Sequence, residues 1–167
     1  MSVLLAAVAA SSITGCTEMD DSGKEPQKRE EKDSTDDAAK LSSQILDIMG
    51  LKGKVTKAAP GAYPCGDRDH EKYYAVHHPW SVYDVPVPDM EKAMKRLKEE
   101  LPQRGWKVTG YGPDSSRAKS LQLGAEFSEK KFKVVITLQD RRGRSKDPSI
   151  LEVDLGSACF QYPDKSS

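Results

Sequence analysis

Residues 121–138 read LQLGAEFSEKKFKVVITL. Leu121, Leu123, Ala125 and Phe127 fall at every second position, and Phe132, Val134, Ile136 and Leu138 do so again after a polar break. Successive side chains of a strand point to opposite faces, so a period of two predicts one buried face and one wet face. Two such runs across a short polar link predict an antiparallel hairpin. The pattern continues outward. Leu151, Val153 and Leu155 alternate with Glu152 and Asp154, which predicts a further strand. Trp106 to Tyr111, closed by Gly112-Pro113-Asp114, predicts one before the hairpin. An antiparallel sheet with a single apolar face needs a cover on that face.

Two helices are available as the cover. Met90, Ala93, Met94, Leu97 and Leu101 recur at helical spacing, with Glu91 and Lys95 paired on the wet side. Asp89 is the expected N-cap, and Pro102 and Gly105 end the helix. Between Ala38 and Gly50, the residues Leu41, Ile45, Ile48 and Met49 share a face and Gly50 stops it. Residues 52–69 hold Gly53, Pro60, Gly61, Pro64 and Gly66 and read as loop. Tyr73 to Val82 reads as a strand that Pro79 interrupts. The expected fold is α+β in two layers: an antiparallel meander of four to five strands with two helices on one face.

The chain's 26 acids balance its 26 bases, but unevenly along its length. Residues 17–37 carry nine acids and four bases, a net −5 that leaves +5 for the rest. With Met19 as its only large apolar residue, this stretch reads as a disordered tether. Ahead of it, residues 3–13 carry no charge. A membrane-spanning helix needs about 20 apolar residues, so this run fits the apolar region of a signal peptide instead. It closes on Ile13-Thr14-Gly15-Cys16. Small residues before a cysteine admit a peptidase, and the cysteine thiolate is the nucleophile that accepts a diacylglyceryl group. The expected organisation is therefore a cleaved signal over 1–15, a lipidated Cys16 with an acidic tether to 37, one domain over 38–162 and a disordered tail over 163–167. Met1-Ser2 lacks the Lys or Arg that opens a signal peptide, which fits a translation start upstream of Met1.

Lipobox, polar tether and small α+β domain together resemble the small exported lipoproteins of actinobacteria. The stretch LPQRGWKV, residues 101–108, is similar to a helix-to-strand corner found in several such domains. The resemblance implies attachment through Cys16 to the outer face of the cell membrane. It implies no particular chemistry.

With Cys16 acylated, Cys65 and Cys159 remain, and outside the cytosol two thiols pair. The alternative is two free buried thiols. Without a Cys-x-x-Cys, redox catalysis is not indicated.

Other candidate sites each carry two readings. His70, His77 and His78 lie near Asp67 and Asp69. In a strand His77 and His78 point to opposite faces, and the spacing matches no standard metal-ligand pattern, so neither metal nor cofactor is expected. Arg141, Arg142, Arg144 and Lys146, with Lys130, Lys131 and Lys133 before them, form a basic patch. It would contact anionic lipid or an anionic wall polymer, or else be a solvated hairpin. No aromatic row interleaves with these bases, so nucleic acid is not the expected partner. Tyr73, Tyr74, Trp80 and Tyr83 either line a shallow ligand groove or fill the core. Gly-x-Ser-x-Gly and Gly-rich phosphate loops are absent. The expected function is a non-catalytic envelope module that binds a ligand or protein. An envelope hydrolase using acidic residues or His70 and His78 is the rival, and an accessory subunit of a larger complex is a third class.

Overall fold

The structure, a computed structural model, describes residues 25–56 and 58–164. The expected signal over 1–15 and the expected lipidation site Cys16 lie outside the described residues, as do residues 165–167. Within them the elements run α1 (Glu31–Met49), β1 (Lys54–Val55), β2 (Gly61–Pro64), β3 (Tyr73–Tyr83), α2 (Val87–Glu100) and a 3-10 turn (Leu101–Arg104). Then follow β4 (Lys107–Pro113), β5 (Leu121–Phe127), β6 (Phe132–Gln139), β7 (Ile150–Ser157) and β8 (Phe160–Gln161). No described helix is long and apolar enough to cross a membrane.

The fold is α+β: one open antiparallel sheet with two helices on one face. Strand order is β1-β3-β7-β6-β5-β4, with β2 and β8 also on β3. β4 to β7 form the hairpin-connected meander that the period-two segments predict, Leu123 opposite Ile136 and Ile136 opposite Val153. β3 adds beside β7, with Trp80 opposite Val153. The chain then crosses through α2 to reach β4 at the far edge. The sheet therefore carries eight strands where the sequence pattern counts four or five. The extra ones are two to four residues long, too short to show a period.

The inward row of each strand meets the inward stripe of each helix. Leu123, Phe132, Ile136, Leu151, Val153 and Leu155 are fully buried, as are Ile45, Met49, Met90, Met94 and Leu97 on the helices. Gly50 ends α1 in the left-handed conformation, φ 57°, its N–H capping the Leu46 carbonyl.

Three local expectations are corrected. First, the ordered chain begins well before residue 38. Residues 27–29 run beside β8, Arg29 N–H donating to the Gln161 carbonyl (2.9 Å) and Gln161 N–H to that of Gln27 (3.0 Å). α1 itself starts at Glu31. Composition alone indicates disorder because it counts apolar burial, whereas this segment is held by polar contacts. Ser34 Oγ meets the Tyr74 hydroxyl at 2.9 Å, and Asp37 is gripped by Arg29 and by Lys130 (2.6 Å). Second, Asp89 does not cap α2. The helix starts at Val87 with Pro86 before it and Asp89 inside the first turn. Proline's fixed φ suits a first turn, whose N–H groups have no helical partner. Third, Pro79 does not interrupt β3. Ser81 N–H donates to Thr56 Oγ1 and its carbonyl accepts from Thr56 N–H, so backbone groups at this parity point away from β7. Pro79 shares that parity and sits between the stretches paired by β1 and β2, where no N–H is needed.

Candidate ligand cleft

The alternation of β3 turns His78 and Trp80 toward α1. Ser42 lies on the helix stripe that faces them, four residues after Ala38 and three before Ile45. The link between β1 and β2 passes alongside and presents the carbonyl of Ala58. The four groups form one chain of hydrogen bonds. His78 Nε2 lies 3.0 Å from the Ala58 oxygen, Nδ1 lies 2.8 Å from Ser42 Oγ, and Trp80 Nε1–H donates to the same Oγ over 3.1 Å. A carbonyl only accepts, so Nε2 carries a proton, and in the neutral ring Nδ1 then accepts from the Ser42 hydroxyl. Ser42 and His78 are both more than nine-tenths buried.

Above this floor opens a cleft of about 330 Å³. Its walls are mainly apolar: Ala39 and Leu46 from α1, Val55 from β1, Ala59 and Pro60 from the link, and Trp80 beneath. Every floor polar atom already has a partner, so what the cleft offers a ligand is shape and apolar contact.

The remaining candidates scatter. Cys65 and Cys159 form a disulfide, their Cα atoms 5.8 Å apart. Cys159 lies in the link between β7 and β8 rather than continuing the β7 row. Tyr73, Tyr74, Trp80 and Tyr83 do not form one groove. Tyr74 is core, 1 % exposed and stacked on Tyr162 at 4.5 Å. Tyr73 and Tyr83 have the opposite parity, Tyr73 reaching Glu25 at the chain's entry with Arg68 over its ring. Only Trp80 lines the cleft.

His77 and His78 take opposite faces as their parity requires, His77 half-buried on the open sheet face and bonded to Asp154 of β7. His70 lies exposed in the β2–β3 link, and both His78 nitrogens are engaged by Ser42 and Ala58, so the two do not form one site. Among the described residues no group of three or more His, Cys, Asp or Glu is placed to hold a metal ion.

The basic patch is split. Lys130 and Lys131 precede β6 and Lys133 lies at its start, while Arg141, Arg142 and Arg144 follow its other end, so most of the strand separates the two groups. Arg142 forks onto Asp140, 2.7 Å at its shortest, and holds that carboxyl down at about 2.

Ser42 is the residue that the sequence reading passed over. Its signal was available: a serine on an otherwise apolar helical stripe, as are Ser34 and Asp37, all three buried. Comparison with known proteins adds no second line of argument: no protein-family model matches this chain, and no curated protein or solved structure matches it significantly.

Proposed function

We propose that this protein is an exported lipoprotein of the actinobacterial kind, anchored to the outer side of a membrane by acylated Cys16, whose domain binds an apolar group and performs no reaction. Export is supported by the Ile13-Thr14-Gly15-Cys16 box at the end of an uncharged run and by the paired state of Cys65 and Cys159, usual for thiols outside the reducing cytosol. The observation that carries the binding reading is the apolar cleft above Trp80, whose floor polar groups satisfy one another. Its volume suits a ring or a branched aliphatic group of a ligand or protein side chain.

The Ser42–His78 contact favours one rival, an envelope hydrolase. A serine nucleophile activated by a histidine needs an open approach to Oγ and donors for the developing oxyanion. Here Oγ is buried in a helix interior, and the nearest side-chain donor, Trp80 Nε1–H, already points at Oγ itself.

Titration with the apolar dye 1-anilinonaphthalene-8-sulfonate, read by energy transfer from tryptophan, tests the cleft. Saturable binding is expected, weakened roughly tenfold, or about 1.4 kcal/mol, when Ala39→Leu fills the cleft. Absence of saturation overturns the binding reading. Hydrolysis of p-nitrophenyl acetate that Ser42→Ala abolishes would establish the hydrolase instead. Intact mass of the membrane-extracted protein tests the anchor: a chain starting at Cys16 and heavier by its acyl groups is expected, and an unmodified chain starting at Met1 refutes it.

A further inference from the structure

The strand directions sort the loops onto two ends of the sheet. β3 begins at Tyr73 beside the β5–β6 turn and the β7–β8 link. The chain enters at this end too, since residues 27–29 lie along β8 and Tyr73 reaches Glu25. The β4–β5 loop (114–120) and the β6–β7 loop (140–149) lie at the opposite end. They border one cleft of about 430 Å³, lined by Ser116, Ser120, Asp140, Arg141, Arg144 and others.

The two ends differ in charge. At the entry end, residues 25–30, 65–72, 128–131 and 162–164 hold seven acids and six bases. At the far end, the two loops hold six bases and three acids. Those acids are occupied locally: Asp140 by Arg142, Asp114 by the Ser116 hydroxyl and two backbone N–H groups, Asp147 by Ser145. Arg117, Lys119, Arg144 and Lys146 have no carboxylate within ion-pair distance among the described residues. The β6–β7 loop is braced as well, Asp140 accepting from Arg142 N–H (3.1 Å) and Ser149 Oγ from Arg141 N–H (2.9 Å), so its cations sit on a defined turn.

We infer that the β4–β5 and β6–β7 loops form a docking surface for a phosphate-rich polyanion, presented away from the membrane that anchors the chain. The inference rests on the lipoprotein reading for its orientation, not for its charge. Nine peptide units separate Cys16 from Glu25. They reach about 32 Å at most. The far loops stand one strand length, about 27 Å, beyond the entry end. Laying the basic end on the anchoring membrane would hold the linker near full stretch, while the near-neutral entry end would face the lipid. Charge complementarity thus selects a polyanion on the far side over the protein's own bilayer.

Two arms test this. In solution, the full chain with Cys16→Ser is titrated with long-chain polyphosphate at several salt concentrations. Binding should weaken as salt rises, and Arg141→Ser with Arg144→Ser should lower the log–log salt slope by about 2. No binding, or binding indifferent to that pair, overturns the site. In the second arm the native protein is placed in phosphatidylcholine vesicles with or without phosphatidylglycerol, and capture of added polyphosphate is measured. Capture should be the same on both. Capture lost on the anionic vesicles means that the basic end lies on the membrane and overturns the orientation. A native chain that stays off the vesicles refutes the anchor, and the solution arm then decides the site.

Discussion

His77 and His78 are neighbours in the chain and occupy different environments: His78 is sealed between Ser42 of α1 and the Ala58 carbonyl, while His77 stands on the open sheet face against Asp154. One residue of displacement along β3 moves an imidazole from the core to water. The two histidines should accordingly respond differently to substitution.

His78→Ala removes an acceptor from the Ser42 hydroxyl and a donor from the Ala58 carbonyl, and opens a void beneath the cleft. Unsatisfied buried polar groups cost about 1–3 kcal/mol each. A loss of about 2–4 kcal/mol in urea unfolding is expected. His77→Ala breaks an exposed contact and should change stability by less than about 1 kcal/mol. Equal effects would contradict the placement of the two rings.

Asp37 governs how the chain's entry responds to acid. Burial alone would raise its carboxyl, but hydrogen bonds from Lys130 and Arg29 outweigh that and hold it below the usual carboxylate range. A group lowered in the folded state adds stability above its unfolded value and loses it as pH falls through the folded one. The melting temperature should therefore drop as pH falls from about 4 toward the folded value. Asp37→Asn should lower stability at neutral pH and shallow that fall. A slope unchanged in the variant would show that Asp37 is not the group responsible.

The legible parts of this fold were those with a period. β5, β6 and β7 each bury alternate residues over seven or eight positions, and α2 keeps a full apolar stripe. β1 and β8 are two residues long, and a period needs more than that to appear. The first turns of α1 were hidden for another reason. Ser34 and Asp37 are buried through hydrogen bonds to Tyr74, Arg29 and Lys130, partners distant in sequence or lacking any local pattern. The cleft was half legible. Parity places Trp80 and His78 on one face, but only the folded chain brings Ala58 beside them and Ser42 of α1 across from them.

The disulfide ties the end of β2 to the link between β7 and β8 across 94 residues of sequence. Closing a loop of that size in the unfolded chain is worth about 4–5 kcal/mol in the chain-entropy account. Reduction, or Cys65→Ser with Cys159→Ser, should lower unfolding stability by an amount of this order. The core should persist, since Cys65 lies at its margin and the inward rows do not depend on it. Near-ultraviolet circular dichroism at a temperature well below both transitions checks that: an unchanged aromatic signal is expected, and its loss would mean that the bond organises the core.

Gly53 offers a test of how the cleft's outer wall is built. A Cβ there would lie 2.6 Å from the Tyr83 carbonyl oxygen and 2.4 Å from Val85 Cγ2. The carbonyl belongs to β3 and cannot swing aside as a side chain would, so the added methyl must push β1 off its partner strand. Overpacking of this kind costs about 1–3 kcal/mol. β1 supplies Val55 to the cleft and leads into Thr56, whose backbone bonds Ser81. Gly53→Ala should therefore lower stability by that amount and weaken dye binding at the cleft together with it. Amide hydrogen exchange at Thr56 should quicken, while exchange in β5 and β6 keeps its native rate. A variant that loses stability but retains full dye affinity would show that Val55 and the residues 58–60 form the wall independently of the β1–β3 pairing.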